Sequence, residues 1–323
     1  MGGDHAPEEI VRGALLYRDL GGPAALTLVG PADRLRELLA RRAAEVEVVH
    51  AADAVGMDEH PATALRRRDD TSIGVATRLV KDGRADAVVS AGNTGATMAA
   101  ALLILGRIRG IDRPALCGML PVLGDRKATC LLDAGATMDA TARNLLQFAQ
   151  MATSFMLKVH AVEQPSIGLI NVGEEPEKGD KIRLEAHALL AGSGLNFYGN
   201  IEGRDVLRGV TDIALCDGFT GNVLAKGLEG AFDILSVGIR NDIFGGVLGK
   251  IAGAVAYPGI RRFRRRFDYD PYVSAPLLGI AGVSVVTHGR ARANMLRWAI
   301  AVGERAVATR LVDAIGESAA PAA

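Results

Sequence analysis

Five loops in this chain of 323 residues combine glycine with polar side chains, each placed after a short apolar run and before a helical stretch. They are Ser90-Ala91-Gly92-Asn93-Thr94-Gly95, Asp133-Ala134-Gly135, Gly173-Glu174-Glu175, Asp217-Gly218-Phe219-Thr220-Gly221-Asn222 and Thr287-His288-Gly289. A sixth, Met1-Gly2-Gly3-Asp4-His5-Ala6-Pro7, also enters a helix but has no strand in front of it. A loop that opens a helix points backbone N–H groups and the positive end of the helix dipole at whatever lies before it, which suits an anion. Small residues let the anion come close to the backbone. Thr94, Thr220 and Asn222 add side-chain donors, so the loops read as a phosphate-binding crevice. One such loop is as often a plain tight turn; several in one chain favour the ligand. Asp4-His5 also reads as a simple N-cap, His288-Gly289 as turn chemistry, and Lys178-Gly179 as a solvated surface pair. No phosphate-loop, dinucleotide, nucleophile-elbow or zinc-helix motif occurs, so a metal site is not expected.

The elements that must hold these loops alternate. Strands are expected over Ala25–Val29, Val46–Val49, Ala85–Val89, Ala128–Leu132, Ser166–Val172, Ile213–Cys216 and Val283–Val286. Helices are expected from Pro7 to about Leu20, over Arg34–Arg42 and Thr71–Asp82, and after each glycine-rich loop, with 58–70 left as a polar loop. Strand, glycine-rich loop and helix repeated in this way predict an α/β, three-layer αβα doubly wound sheet, with ligands outside the carboxyl ends of the strands. Residues 238–267 break the rhythm and read as a helical hairpin projecting from a single domain that spans 1–323. Ile243, Phe244, Val247, Leu248 and Ile251 fall on one helical face. They are followed by Arg261, Arg262, Arg264, Arg265 and Arg266. A charge run of this kind is by default a solvated face; beside an apolar stretch it also forms an interfacial pattern. The Ala-rich tail from Glu317 is expected to fray.

Composition narrows the partners. Lys plus Arg and Asp plus Glu both number 37, so no global charge favours nucleic acid. Cys117, Cys130 and Cys216 are scattered, odd in number, and fit neither a disulfide framework nor a zinc site. No apolar run approaches the ~18 residues of a membrane span, and no signal-peptide pattern opens the chain. The expected compartment is the cytosol.

Taken in order, the loops resemble the PlsX family, the acyl-acyl-carrier-protein:phosphate acyltransferases. The resemblance rests on Met1–Pro7, Ser90–Ala96, Gly110–Leu116, Ile170–Glu175, Lys178-Gly179, Gly199–Asp205, Asp217–Val223, Ala275–Gly279 and His288-Gly289. It implies a fold similar to phosphate acetyltransferases and isocitrate dehydrogenase-like proteins, a homodimer, and neither metal nor organic cofactor. It also implies that Lys178 and Asn222 form the catalytic pair. Two positions depart from the family pattern: Val273-Ser274 replace Gly-Gly after Tyr272, and Ala134-Gly135-Ala136-Thr137 replace Val-Gly-Ala-Asn. The family normally carries a short strand before the first motif, and an apolar strand immediately ahead of Met1 is expected.

The implied reaction is transfer of a fatty acyl group from acyl carrier protein to inorganic phosphate, giving acyl phosphate for a membrane glycerol-3-phosphate acyltransferase. Phosphate needs no enzyme nucleophile, so positioning and oxyanion stabilisation carry the catalysis. Lys178 and Asn222 are assigned to this; Asp4, His5, Gly92, Asn93, Thr94, Gly95, Asp217, Gly218, Thr220, Gly221 and His288 to the substrate crevice. Ile243, Phe244, Val247 and Leu248, with the arginines, are assigned to partner or membrane contact. The alternatives are an acetyltransferase-like enzyme using acyl-coenzyme A, and a non-catalytic membrane-associated scaffold that binds acyl carrier protein.

Overall fold

A computed structural model describes residues 1–123, 128–266, 270–272 and 274–319. Val273, residue 267 of the expected hairpin and the end of the tail, Ala320–Ala323, lie outside the described residues. The side chains of Arg264, Arg265 and Arg266 do so as well.

The amino-terminal half runs α1 (Glu8–Asp19), β1 (Thr27–Gly30), α2 (Ala32–Leu39), β2 (Glu47–His50), α3 (Pro61–Arg67), α4 (Ser72–Lys81), β3 (Ala87–Ser90) and α5 (Thr94–Ala100). It continues through β4 (Ala115–Leu116), β5 (Gly118–Pro121), β6 (Ala128–Leu132), α6 (Ala142–His160), β7 (Ile167–Ile170) and α7 (Lys181–Ala191). Then follow β8 (Phe197–Ile201), α8 (Gly203–Arg208), β9 (Ile213–Leu215), α9 (Gly218–Gly238), α10 (Gly246–Arg266), β10 (Ala275–Leu278), β11 (Val283–Val286), α11 (Ala293–Ala308) and α12 (Leu311–Ala319). The stretch read as a polar loop contains α3, which begins at Pro61, where the missing N–H costs nothing. The strands β4, β5, β8 and β10 were not expected; β4 has only two residues, and the other three are short and contain Pro or Gly, which hides a period of two.

The strands form a pair β1-β2, a group β3-β11-β10-β4 and a group β5-β6-β9-β7-β8. β4 and β5 flank Cys117, so the chain passes directly from one large group to the other. β6, β9 and β7 lie side by side and parallel. Every residue of these three strands is buried, as expected for parallel strands covered on both faces. Side chains alternate between two layers: Cys130 and Leu132 face the cluster of α6, α11 and α12, while Leu131 faces the one that includes Leu224 of α9 and Val206 of α8.

The helix at the centre of the larger layer is α6. Thr141 and Asn144 close a capping box at its start, and Ala161 in the left-handed region ends it. Its Leu145, Phe148, Met151 and Phe155 are at most 1% exposed. Burial of each such side chain contributes roughly 1.5–3 kcal/mol.

β1 and β3 do not pair. A cavity of about 510 Å³ lies between them, lined by apolar side chains that include Leu28, Val29, Val88, Ala14 and Leu296. Met1 closes one end, packed against Gly30 at the end of β1 and Gly92 just beyond β3. Both strands therefore run toward Met1. Burial holds the Met1 amine below its ordinary range.

Residues 238–266 are helical apart from the break at 244–245. α9 runs on from the sheet to Gly238, one short helical turn follows, and α10 departs at a bend of 113°. Among the described residues, no single helix is long and apolar enough to cross a membrane. Ile243, Val247, Leu248, Ile251 and Val255 are exposed, with Leu248 at 82%; Phe244 is half-buried against Gly253. Arg261 and Arg262 are exposed as well.

Candidate active site

Three loops leave the carboxyl ends of β6, β9 and β7, which are neighbours, so the sheet order alone brings them together. The first is organised by Asp133. This buried carboxylate accepts N–H bonds from Leu116 (2.9 Å), Gly135 (2.9 Å), Ala136 (2.9 Å) and Thr137 (2.6 Å). Burial pushes the Asp133 carboxyl up, and these donors only partly hold it down. The Thr137 hydroxyl donates to the Pro114 carbonyl (2.9 Å), so the 133–137 loop is tied at both ends.

The second loop hangs on the first. Gly218 N–H donates to the Thr137 carbonyl (2.8 Å), and Gly221 presses so closely on Asp133 that a methyl group would collide with its backbone carbonyl. Only glycine permits that approach. Asp217 caps α9 by accepting from Thr220 N–H (2.9 Å) and from the Thr220 hydroxyl (2.8 Å). Burial raises the Asp217 carboxyl, but the Thr220 amide and hydroxyl and the Arg183 guanidinium outweigh it, leaving it below the usual carboxylate range. Asn222, half-buried, sits against Gly135 and points its amide at the Ala134 carbonyl (3.5 Å).

The third loop carries Lys178. Asn171, at the end of β7, accepts from Val172 N–H (2.8 Å) and donates to the Lys178 carbonyl (2.9 Å). Asn200, buried in β8, donates to the Glu175 carbonyl (2.8 Å). Lys178 N–H closes a turn on the same carbonyl (3.1 Å). The Lys178 side chain is exposed, lies over Gly173, and has no hydrogen-bond partner among the described residues. Its ammonium is therefore open to an anionic substrate. Beside these loops a cavity of about 610 Å³ is lined by Met138, Ile170, Val172 and Phe219 together with Asn171 and Arg183.

The remaining sequence-predicted residues form a second group at the ends of β3 and β11. Asp4 N–H donates to the Gly289 carbonyl (2.9 Å), and Gly3 lies against the Ala91 carbonyl. Asp4 is exposed and His5 half-buried; Pro7, without a side-chain bond, occupies the N-cap of α1, so Asp4 does not cap it. Asn93 caps α5 through Ala96 N–H (3.0 Å) and donates to the Gly56 carbonyl (3.0 Å). Both ends of its amide are thus engaged in holding the loop. Gly92 N–H is held by the Ser90 hydroxyl (3.2 Å), Gly95 packs on Pro61, and Thr94 is exposed. The His288 ring accepts from Arg290 N–H (3.1 Å). Ala136 of the first loop joins the apolar cluster of Met98, Val286 and Leu277, linking the two groups.

Sequence reasoning did not single out Asp133, Asn171, Asn200 or Arg183 as site-forming residues. A polar residue just beyond the last position of an apolar strand is the signal for Asp133 and Asn171, and one next to the last position is the signal for Asn200. Arg183 offers none, because an arginine in the first turn of a helix reads as solvated.

The arrangement suits attack on a carbonyl by a bound anion. Two helix N-termini, an open ammonium and a carboxamide lie around neighbouring strand ends, where a developing oxyanion would be stabilised.

A family model described as "Fatty acid synthesis protein" matches residues 1–313. A phosphate acyltransferase of Pelotomaculum thermopropionicum is 46% identical over 324 residues, covering 98% of this chain and 93% of the relative. One of Heliobacterium modesticaldum is 45% identical, covering 98% and 95%. Among solved structures, a phosphotransacetylase of Streptococcus pyogenes superposes with a TM-score of 0.61 at 17% identity, over 94% of this chain and 92% of that one. A branched-chain phosphotransacylase of Enterococcus faecalis gives 0.60 at 15%, over 95% and 96%. These likenesses establish the fold.

Proposed function

The chain belongs to the PlsX family of phosphate acyltransferases, and on that premise we propose that it transfers a fatty acyl group from acyl carrier protein to inorganic phosphate, reversibly, supplying acyl phosphate for phospholipid synthesis. The observation that carries this reading is the convergence of the Lys178 loop and the Asn222 turn at the ends of adjacent parallel strands, β7 and β9. A phosphate oxygen attacks the thioester carbonyl carbon, with the Lys178 ammonium holding the anion. The carbonyl oxygen gains charge, and the Asn222 amide and helix N-terminal N–H groups stabilise it. Collapse of the tetrahedral species breaks the C–S bond. The departing thiolate takes the proton that hydrogen phosphate carried, leaving acyl phosphate and the carrier thiol. Asp4, His5, the 92–95 loop and His288 are assigned to the far wall of the crevice.

The exposed apolar and basic arm of α9 and α10 supports use of a carrier-bound substrate and a cytoplasmic enzyme that meets the membrane peripherally, close to the glycerol-3-phosphate acyltransferase that consumes its product. It also offers a face for a homodimer. A small soluble thioester needs no such surface, which disfavours the coenzyme A alternative; the open Lys178 disfavours a non-catalytic scaffold. The test is to incubate the protein with acyl carrier protein charged with palmitate, with and without phosphate, and to trap acyl phosphate with hydroxylamine. Phosphate-dependent acyl hydroxamate and an equal yield of free carrier thiol are expected. Their absence overturns the proposal, and faster turnover of palmitoyl-coenzyme A in a parallel reaction favours the alternative.

A further inference from the structure

Lys178 and Asn222 lie on different elements; the β7-β9 pairing brings their loops side by side, but among the described residues no backbone hydrogen bond joins the two loops directly. Lys178 precedes α7, which is capped by Asp180 through Arg183 N–H (2.9 Å). Asn222 lies in the first turns of α9, capped by Asp217 through Thr220 N–H (2.9 Å). The Arg183 guanidinium reaches both caps. One nitrogen donates to Asp180 (2.8 Å); the other donates to Asp217 and to the Thr220 hydroxyl (2.9 Å). Its side chain is 14% exposed and that of Asp217 10%, whereas Asp180 is 57% exposed. Gly179, in the left-handed region between Lys178 and Asp180, packs on the Arg183 Cβ and on Asn171, so the lysine loop itself rests on this arginine.

We infer that Arg183 is a positioning residue: a strut that ties the N-caps of α7 and α9 together and so sets Lys178 against Asn222. A planar, rigid fork with donors on separate nitrogens can serve two carboxylates at once in one fixed geometry. The ammonium of a lysine is a single point on a flexible stem and cannot hold both. With two carboxylates and a hydroxyl on its nitrogens, Arg183 is occupied, and the substrate anion is left to Lys178. Small misplacement of catalytic groups costs rate steeply, on the order of a hundredfold for about 1 Å. The strut therefore acts on the chemical step without touching the reacting atoms.

This inference rests on the acyl transfer proposed above, and its test separates the two. Wild-type protein is first assayed for acyl phosphate; no product defeats the proposed function. Given activity, Arg183→Met, Arg183→Lys and Asp180→Asn are compared with Lys178→Ala and with the double variant Arg183→Met/Lys178→Ala, together with thermal melting. Asp180→Asn touches only the exposed arm and keeps the buried pair, so it reports on the strut even where Arg183→Met melts early. The strut predicts a fall in kcat of about tenfold or more for Arg183→Met, little rescue by Arg183→Lys, and a smaller fall for Asp180→Asn. It also predicts that the double variant is no slower than Lys178→Ala, because a misplaced lysine matters only when it is present. Unchanged kcat in Arg183→Lys and Asp180→Asn overturns the inference. So does a double variant in which the two losses multiply, which marks Arg183 as a general stabiliser.

Discussion

At the scale of single residues, the site divides charged groups by what they are free to do. The Lys178 ammonium is open, whereas the carboxylates of Asp133 and Asp217 and the guanidinium of Arg183 are spent on backbone and on one another. Lys178→Ala and Asn222→Ala are each expected to lower kcat by on the order of a hundredfold or more. Neither side chain is buried, so melting temperatures should stay near wild type. Steady-state assays with melting curves check this; near-normal turnover in both variants would remove them from the chemistry. A second prediction concerns His160. Burial holds it down at about 4, from an ordinary 6.5, and the nearby Arg305 adds to the effect. Its Nε2 is buried with no hydrogen-bond partner among the described residues, and Phe155 lies edge-on at 5.1 Å. A base with a depressed folded-state value stabilises the native state fully above 6.5 and loses that contribution as pH falls toward 4. Urea unfolding across that window should show stability falling by up to about 3 kcal/mol through this group. His160→Phe should flatten that part of the profile, and an unchanged slope would assign the loss elsewhere. Glycine loops were legible in the sequence because their signal is local. The roles of Asp133 and Arg183 were not, because a buried charge is recognised only once strands from distant parts of the chain lie side by side.

At the scale of elements, the long strands and helices were readable from their period, while β4, β5 and β10 were not. They are two to four residues long and draw their stability from antiparallel pairing, which for β4 and β10 joins residues remote in sequence, Leu277 opposite Leu116. The cavity between β1 and β3 has a physical consequence of its own. Among the described residues, neither strand has a hydrogen-bonded neighbour on the side facing it, and unpaired ladder groups are costly when buried. A segment leading into Met1 would run parallel to both strands. Fusing about four β-branched apolar residues ahead of Met1 is therefore expected to raise the melting temperature, by ~2–4 °C for each kcal/mol gained. Protection of β1 and β3 amides in hydrogen exchange should rise with it. Equal melting of the two proteins would show that the gap does not accept a strand. The arm of α9 and α10 carries exposed apolar side chains, among them Ile243, Val247 and Leu248. Flotation with anionic but not neutral vesicles, weakened by salt and by Arg261→Gln/Arg262→Gln, is the expected outcome. No flotation at low salt, with the protein running as a dimer in size-exclusion chromatography, would assign the apolar face to subunit contact alone.

At the scale of the whole molecule, one helix joins the candidate site to the exposed arm. α9 begins at the Asn222 turn and ends at the bend into α10. Its 21 residues correspond to roughly 30 Å of rise. The Debye length at physiological ionic strength is about 8 Å. The reacting end is thus several screening lengths from the arm's tip. A charged surface held there exerts almost no field on the oxyanion. Lipid composition would then govern how many enzyme molecules are held at a surface and how they are oriented, while the intrinsic barrier to C–S cleavage stays the same for bound and free enzyme. If the arm adsorbs as proposed, the helix would work as a spacer that keeps adsorption and chemistry energetically independent.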